Sequence, residues 1–326
     1  MVNAYLFCVN VDLGLRLNLN NFKLFIYISM NNDFEKISLT KFKLKSLSPD
    51  ATILLIGRRR SGKSYLAKDI FFNHKDIPMG LVFSATEEAN PFFGDFIPDT
   101  FIHSEYNPNL INSLMSKQSQ KVKRGRLNGH ASTDGKYAGN RSFVILDDML
   151  ASASTWKKDQ TVKAIFLNGR HYNIFFILTM QYPIGIPPDL RSNIDYIFIF
   201  NEPSVANRKK LYDNYCGMIA SFDHFCNILD SCTQDHECLV VKSSGDSNKL
   251  QDQIFWYKAV SHDSFRVGHP KIWKYHDEHY NNKYDKERDH DQEEMDRLRK
   301  KFAKTHKLKV FVSRTGEIVD AQAFEN

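Results

Sequence analysis

Residues 53–72 read ILLIGRRRSGKSYLAKDIFF, and the fold turns on them. An apolar run ends at Gly57. Beyond Gly62-Lys63-Ser64, the apolar residues Tyr65, Leu66, Ile70 and Phe71 recur at helical spacing. The order is strand, glycine-bounded loop, helix. In that setting Gly57-Arg58-Arg59-Arg60-Ser61-Gly62-Lys63-Ser64 fits the P-loop pattern. Successive backbone N–H groups at a helix N-terminus form an anion site. Lys63 then reaches the β- and γ-phosphates of ATP, and the Ser64 hydroxyl ligates Mg²⁺. Because the backbone makes the cradle, the side chains of Arg58, Arg59 and Arg60 are free to point away. The sharper expectation is that Arg59 or Arg60 reaches phosphate oxygens or an adjacent subunit.

Working outward, GLVFSAT (80–86), SFVILDDML (142–150), NIFFILTMQ (173–181) and DYIFIFN (195–201) are strand-like apolar runs. Helical stretches separate them, including one from Pro108 to Ser116 and one ending in KAIFLNGR. This alternation predicts an α/β fold, a mostly parallel central sheet flanked by helices. PSVANRKKLYDNYCGMI and FDHFCNILDSC read as helices. HECLVVKSS and DQIFWYKAV read as two more strands, a hairpin at the sheet edge.

Three segments fall outside this pattern. Residues 1–29 are expected to be an irregular N-terminal extension, leaving a P-loop ATPase domain over 30–268. Residues 117–141, with Lys117, Lys121, Lys123, Arg124 and Arg126, have almost no apolar periodicity and read as a long mobile loop. Residues 269–326 read as a charged helix, with acids first and bases last, followed by a small hairpin.

Composition sets bounds. The chain has 326 residues and 42% hydrophobic content, enough for one large domain with appendages. A net charge of +6 permits a nucleic-acid partner without requiring one. The five cysteines are odd in number and do not read as a disulfide framework. His224, Cys226, Cys232, His236 and Cys238 fit no common zinc spacing. No apolar run is long enough for a transmembrane helix, and no signal peptide is expected from the first residues.

The chemistry beyond the P-loop gathers at strand ends. Asp147 and Asp148 close an apolar strand, at the sheet edge where α/β proteins bind ligands. Asp147 reads as the acid that holds hydrated Mg²⁺ beside Ser64. Asp148 reads as the base that orients or deprotonates attacking water. Gln181, at the end of another strand, is placed to lie between the γ-phosphate and that water. Arg170 and Arg191 flank the same strand and are candidates for stabilising transition-state charge in a neighbouring subunit's site.

In this order GRRRSGKS, FVILDDM, GRHYNIFFILTMQYP and LRSNIDYIFIF resemble the FtsK–HerA superfamily of P-loop ATPases. The closer likeness is to the poxvirus-type virion DNA-packaging ATPases of large double-stranded DNA viruses. It spans roughly Phe42 to Tyr257. The position of Arg170 relative to Gln181 matches an arginine that family members carry, which favours it over Arg191 as the trans arginine. The superfamily usually has Glu where this chain has Asp148. An Asp is one methylene shorter, so the water must sit closer or a second water must intervene. The resemblance implies an extra strand between the P-loop strand and the acid-bearing strand. It implies a homo-oligomeric ring that pulls double-stranded DNA into a capsid, with a capsid or portal-vertex partner. It also implies a place in the virion and at a cytoplasmic assembly site. Two other readings stay open. One is a P-loop nucleotide or nucleoside kinase, with GRRR and the basic segment as a lid. The other is a non-hydrolysing, nucleotide-switched scaffold.

Overall fold

A computed structural model describes residues 23–30, 33–127, 141–149, 159–182, 186–243, 247–280 and 297. The chain divides into two compact units, Met1–Trp273 and Lys274–Asn326. The first unit is built on an eight-stranded sheet. Its strands are β3 (Thr52–Ile56), β4 (Gly80–Ser84), β5 (Ile102–His103), β6 (Ser142–Asp147), β7 (Ile174–Met180), β8 (Tyr196–Ile199), β9 (Glu237–Lys242) and β10 (Ile254–Lys258). Their order across the sheet is β10-β9-β8-β3-β7-β6-β4-β5. From β8 to β5 the pairings are parallel, while β9 and β10 add an antiparallel edge. The α/β class and the edge hairpin are as expected from sequence. The expected extra strand between the P-loop strand β3 and the acid-bearing strand β6 is β7, and β4 sits on the far side of β6.

The parallel strands are apolar on both faces because both faces are covered. Along β3, Ile53 and Leu55 face one layer, while Leu54 and Ile56 face the other. The first layer is closed by helix α1 (Lys63–Asn73), through Leu66, Ile70 and Phe71. The second is closed by α2 (Pro108–Leu127), α3 (Gln160–Asn168), α4 (Pro188–Arg191), α5 (Val205–Tyr215) and α6 (Phe222–Cys232). These supply Ile111, Ile165, Leu190, Leu211 and Phe225. Each such side chain, fully removed from water, contributes about 1.5–3 kcal/mol. Two short elements complete the trace, α7 (Leu250–Gln253) and α8 (Pro270–His279). In the second unit, Tyr275 and His279 stack with ring centroids 4.2 Å apart.

Two expectations are corrected. Residues 117–127 are helical rather than loop, since α2 continues to Leu127. Ile111, Leu114, Met115, Gln118 and Val122 are buried at helical spacing, and the buried Gln118 side chain donates to the Tyr172 carbonyl at 3.1 Å. Lys, Arg and Gln are good helix formers, so a polar, basic stretch needs only this thin seam to stay helical. The irregular extension is corrected in its last residues. Strand β1 (Lys23–Met30) pairs antiparallel with β2 (Asp33–Thr40) in a separate two-stranded sheet. Backbone pairing needs little side-chain patterning beyond the β-forming Phe25, Ile26, Tyr27 and Ile28. The expected C-terminal hairpin, most of the charged helix and residues 128–140 lie outside the described residues.

Helix α1 is tied to the far edge of the sheet by one buried carboxylate. Asp69 accepts from the Tyr257 hydroxyl at 2.7 Å, from the Val260 backbone N–H at 2.8 Å and from His262 Nε2 at 2.6 Å. The His262 ring stacks on Phe72 with centroids 3.7 Å apart. The chain leaving β10 is thus a strap across the helix that begins at the P-loop.

Candidate functional site: the P-loop and an acid pair

The P-loop leaves the C-terminal end of β3 gripped from both sides. Gly57 N–H donates to the Met180 carbonyl at 3.0 Å, and Phe200 N–H donates to the Ile56 carbonyl at 2.9 Å. These bonds pull the aromatic Phe200 against the loop. A Cβ on Gly57 would stand 2.7 Å from Phe200 Cβ and 2.6 Å from Ser61 Oγ, so only glycine fits. At the other end Gly62 has φ 105°, a left-handed backbone that glycine adopts without a Cβ clash, and α1 starts at the next residue.

Lys63 folds back over the loop. Its Nζ donates to the Gly57 carbonyl at 2.7 Å and to the Arg58 carbonyl at 3.0 Å. Burial pulls its pKa below the usual lysine value, while Asp148 and Asp147 oppose that shift and Arg59 adds to it. The ammonium is therefore held in the loop, with two carboxylates in its field. Ser64 follows in the first turn of α1. Arg58, Arg59 and Arg60 are exposed, with Arg60 at φ 62°. Their side chains turn outward while the backbone carries the loop.

Across β7, strand β6 delivers the acids. Asp147 is 6% exposed. It accepts from Thr179 Oγ1 at 2.7 Å and from Ser84 Oγ at 3.3 Å. Burial pushes its carboxyl up, and those hydrogen bonds and Lys63 pull it back. Thr179 Oγ1 also accepts from the Asp148 N–H at 3.0 Å, so one hydroxyl fixes both acids. Asp148 sits at φ 48°, which turns its side chain out of the strand line. Its Oδ2 accepts from the Gln181 amide. Its Oδ1 is buried and has no hydrogen-bond partner among the described residues.

The structure thus brings Lys63, Asp147, Asp148 and Gln181 to one edge of the sheet, where β3, β6 and β7 end. It does not bring Arg170 there. Arg170 lies in the turn Gly169–Tyr172 before β7. Its Nη2 donates to Asp195 Oδ1 at 2.9 Å, and Asp195 Oδ2 accepts from the Thr52 N–H at 2.9 Å. Thr52 begins β3, so this ion pair stands at the end of the sheet away from the P-loop. Arg191 is engaged too, donating to Asn214 Oδ1 and lying 5.9 Å from the Tyr215 ring centroid.

Three residues at the site escaped the sequence reading. Thr179 is a polar residue inside an apolar strand, two positions before Gln181 and therefore on its face. Ser84 ends β4 in register with Asp147. Both left a signal, a hydroxyl at the close of an apolar run. His236 lies against the loop, its Nδ1 3.3 Å from the Ser61 carbonyl, and nothing in the linear sequence marks that contact.

The donor set suits a hard divalent cation. The Ser64 hydroxyl and the Asp147 carboxylate are oxygen ligands, which Mg²⁺ takes together with phosphate oxygens and water. Among the described residues no group of three or more His, Cys, Asp and Glu side chains is arranged to hold a metal ion by itself. No described helix is long and apolar enough to cross a membrane.

Known proteins are similar in sequence. Uncharacterized protein L437 of Acanthamoeba polyphaga mimivirus is 34% identical over 256 residues, 78% of this chain and 89% of that protein. Uncharacterized protein 088R of Invertebrate iridescent virus 3 is 36% identical over 221 residues, 66% of this chain and 80% of that protein. Among solved structures, the genome packaging NTPase B204 from Sulfolobus turreted icosahedral virus 2, in complex with ATP-gammaS, gives a TM-score of 0.43 at 16% identity. That match covers 66% of this chain and 100% of that one. The pCW3 conjugation coupling protein TcpA gives 0.45 at 14% identity, covering 81% and 71%. The sequence model of the family described as Poxvirus A32 protein matches residues 39–250. That match takes in the P-loop, the acid pair and Gln181 and covers more than half of the chain, which therefore belongs to the poxvirus A32 protein family.

Proposed function

We propose that the chain hydrolyses ATP to ADP and phosphate and uses that reaction to drive double-stranded DNA of a viral genome into a capsid. The observation that carries this reading is the pairing of Asp148 with Gln181 beside the P-loop. One carboxylate oxygen is positioned by an amide and the other is buried without a hydrogen-bond partner among the described residues. That oxygen is suited to take a proton from an attacking water. A nucleotide-switched scaffold has no need of such a base, while a kinase would turn it on an acceptor hydroxyl, which the test below separates.

The remaining parts follow from chemistry. Backbone N–H groups of Gly57–Ser64 cradle the phosphates, and Lys63 swings from the loop carbonyls to their oxygens. Ser64 and Asp147 would hold Mg²⁺, which supplies positive charge to those same oxygens. Within one chain Arg170 stands too far from this site to serve it. In a ring of identical subunits, Arg170, about half exposed, serves its neighbour instead. The exposed Lys117, Lys123 and Arg124 on α2 are suited to sequence-independent contacts with duplex phosphates. Work at a cytoplasmic assembly site and in the virion, with a capsid or portal-vertex partner, belongs to the same proposal.

The test is phosphate release from ATP with and without long duplex DNA. Stimulation by DNA that weakens steeply with salt is the expected result. Turnover that requires a nucleotide or nucleoside acceptor, or ATP binding with no turnover, contradicts it. A second arm mixes Arg170→Ala subunits with Asp148→Asn subunits. Partial recovery of turnover is expected for an arginine acting across an interface, and no recovery at any ratio removes Arg170 from the site.

A further inference from the structure

We infer that His236 forms the wall against which the base of the bound nucleotide stacks, an inference that rests on the P-loop reading above. The sheet order gives the direction. Asp147, Asp148 and Gln181 stand on the β6–β7 side of the P-loop strand and mark where the terminal phosphate reacts. A nucleoside triphosphate is a linear ligand. With its terminal phosphate held on that side, its base extends towards the other, where β8 and β9 lie.

The side chain waiting there is His236, in the turn between α6 and β9. A Cβ placed on Gly62 would meet Phe200 Cε1 at 3.4 Å, His236 Cβ at 3.6 Å and His236 Nδ1 at 3.8 Å, so the imidazole stands beside the last glycine of the cradle. Nδ1 lies 3.3 Å from the Ser61 carbonyl. A carbonyl only accepts, so Nδ1 is the donor where that hydrogen bond forms. The ring is nevertheless exposed beside the loop.

The turn that presents it is held in an uncommon conformation. Asp235 and His236 have φ 47° and 65°, two consecutive left-handed residues that are not glycine. Two bonds fix the turn. Glu237 N–H donates to the Gln234 carbonyl at 2.8 Å, and Thr233 Oγ1 donates to the Leu229 carbonyl at 2.6 Å. Surrounding structure that enforces such a backbone is a recurrent feature of ligand-contacting turns. The outcome here is an aromatic ring set at the nucleoside end of the phosphate loop.

The experiment compares two ligands, ATP and inorganic tripolyphosphate, which has the phosphates and no base. Binding is measured by calorimetry for the parent, His236→Ala and His236→Phe. For His236→Ala, ATP is expected to bind roughly tenfold more weakly while tripolyphosphate stays at the parent affinity. His236→Phe, which keeps a stacking face, is expected to recover most of the ATP affinity. Unchanged ATP affinity in His236→Ala overturns the inference. So does an equal loss for both ligands, because the turn then only props the loop. So does a failure of His236→Phe to recover ATP binding. Lys63→Ala separates the two levels of the argument. If it binds tripolyphosphate as well as the parent does, the P-loop reading itself fails, whatever His236 does.

Discussion

Replacing Asp148 with Asn is expected to lower the rate of ATP hydrolysis by about 10²–10⁴-fold while leaving ATP affinity near that of the parent. The reason lies in what the substitution changes. Asn has the shape of Asp and tolerates the left-handed backbone at φ 48°, so the turn is kept. The Thr179 hydroxyl still accepts the backbone N–H of residue 148. Only the ability to take a proton is lost. The proposed base is a short one, an Asp whose carboxylate accepts from Gln181 and whose backbone N–H donates to Thr179. Asp148→Glu is therefore no neutral exchange, since the extra methylene must displace the Gln181 amide. Single-turnover phosphate release and equilibrium ATP binding check the prediction together. A loss of only a few-fold, or a loss of binding that accounts for the lost rate, contradicts it.

The second large effect concerns the strap. Asp69→Ala removes the acceptor shared by the Tyr257 hydroxyl, the Val260 N–H and His262 Nε2. Asp69 is 1% exposed. A buried donor left without a partner costs about 1–3 kcal/mol, but Val260 and His262 regain some water contact. The expected loss is about 3 kcal/mol, a fall in Tm of roughly 6–12 °C for a unit of this size. Nucleotide binding weakens as well, because α1 carries Lys63 and Ser64 and loses its tie to the sheet edge. Thermal unfolding in the presence and absence of ATP measures both effects. A shift under about 2 °C would mean that the strap does not hold the helix.

These two residues show unequal legibility. Asp148 was visible in the sequence because two acids close a continuous apolar strand, and that pattern has a chemical meaning without any structure. Asp69 was not, because its partners lie near the other end of the domain and pairing at that distance leaves no local signature. The strands were legible for the same reason as Asp148, since burial on both faces demands unbroken apolar runs. Their order across the sheet was not, because pairing partners are set by packing rather than by neighbours in the chain. Hence nothing in the sequence said which strand stands between β3 and β6, the place that β7 takes in space. The C-terminal half of α2 was taken for loop because its burial seam is only Gln118 and Val122, too sparse to show as a period among lysines and arginines. Thr179 and Ser84 were within reach, as hydroxyls at the close of apolar runs. His236 was not, since its contact with the P-loop joins residues far apart in the chain and only the fold creates it.

The arginines of the loop end with a smaller role than their number suggests. All three are exposed, while Lys63 folds back onto the Gly57 and Arg58 carbonyls of the loop.

The most direct test of the central claim is movement along DNA. A third strand is annealed to one end of a long duplex to form a short triplex, and its release is followed after ATP is added. The parent protein is expected to strip the third strand only with ATP and Mg²⁺, while Lys63→Ala and Asp148→Asn leave it in place. Release that is independent of ATP, or ATP hydrolysis that never displaces the strand, contradicts a DNA-translocating ATPase.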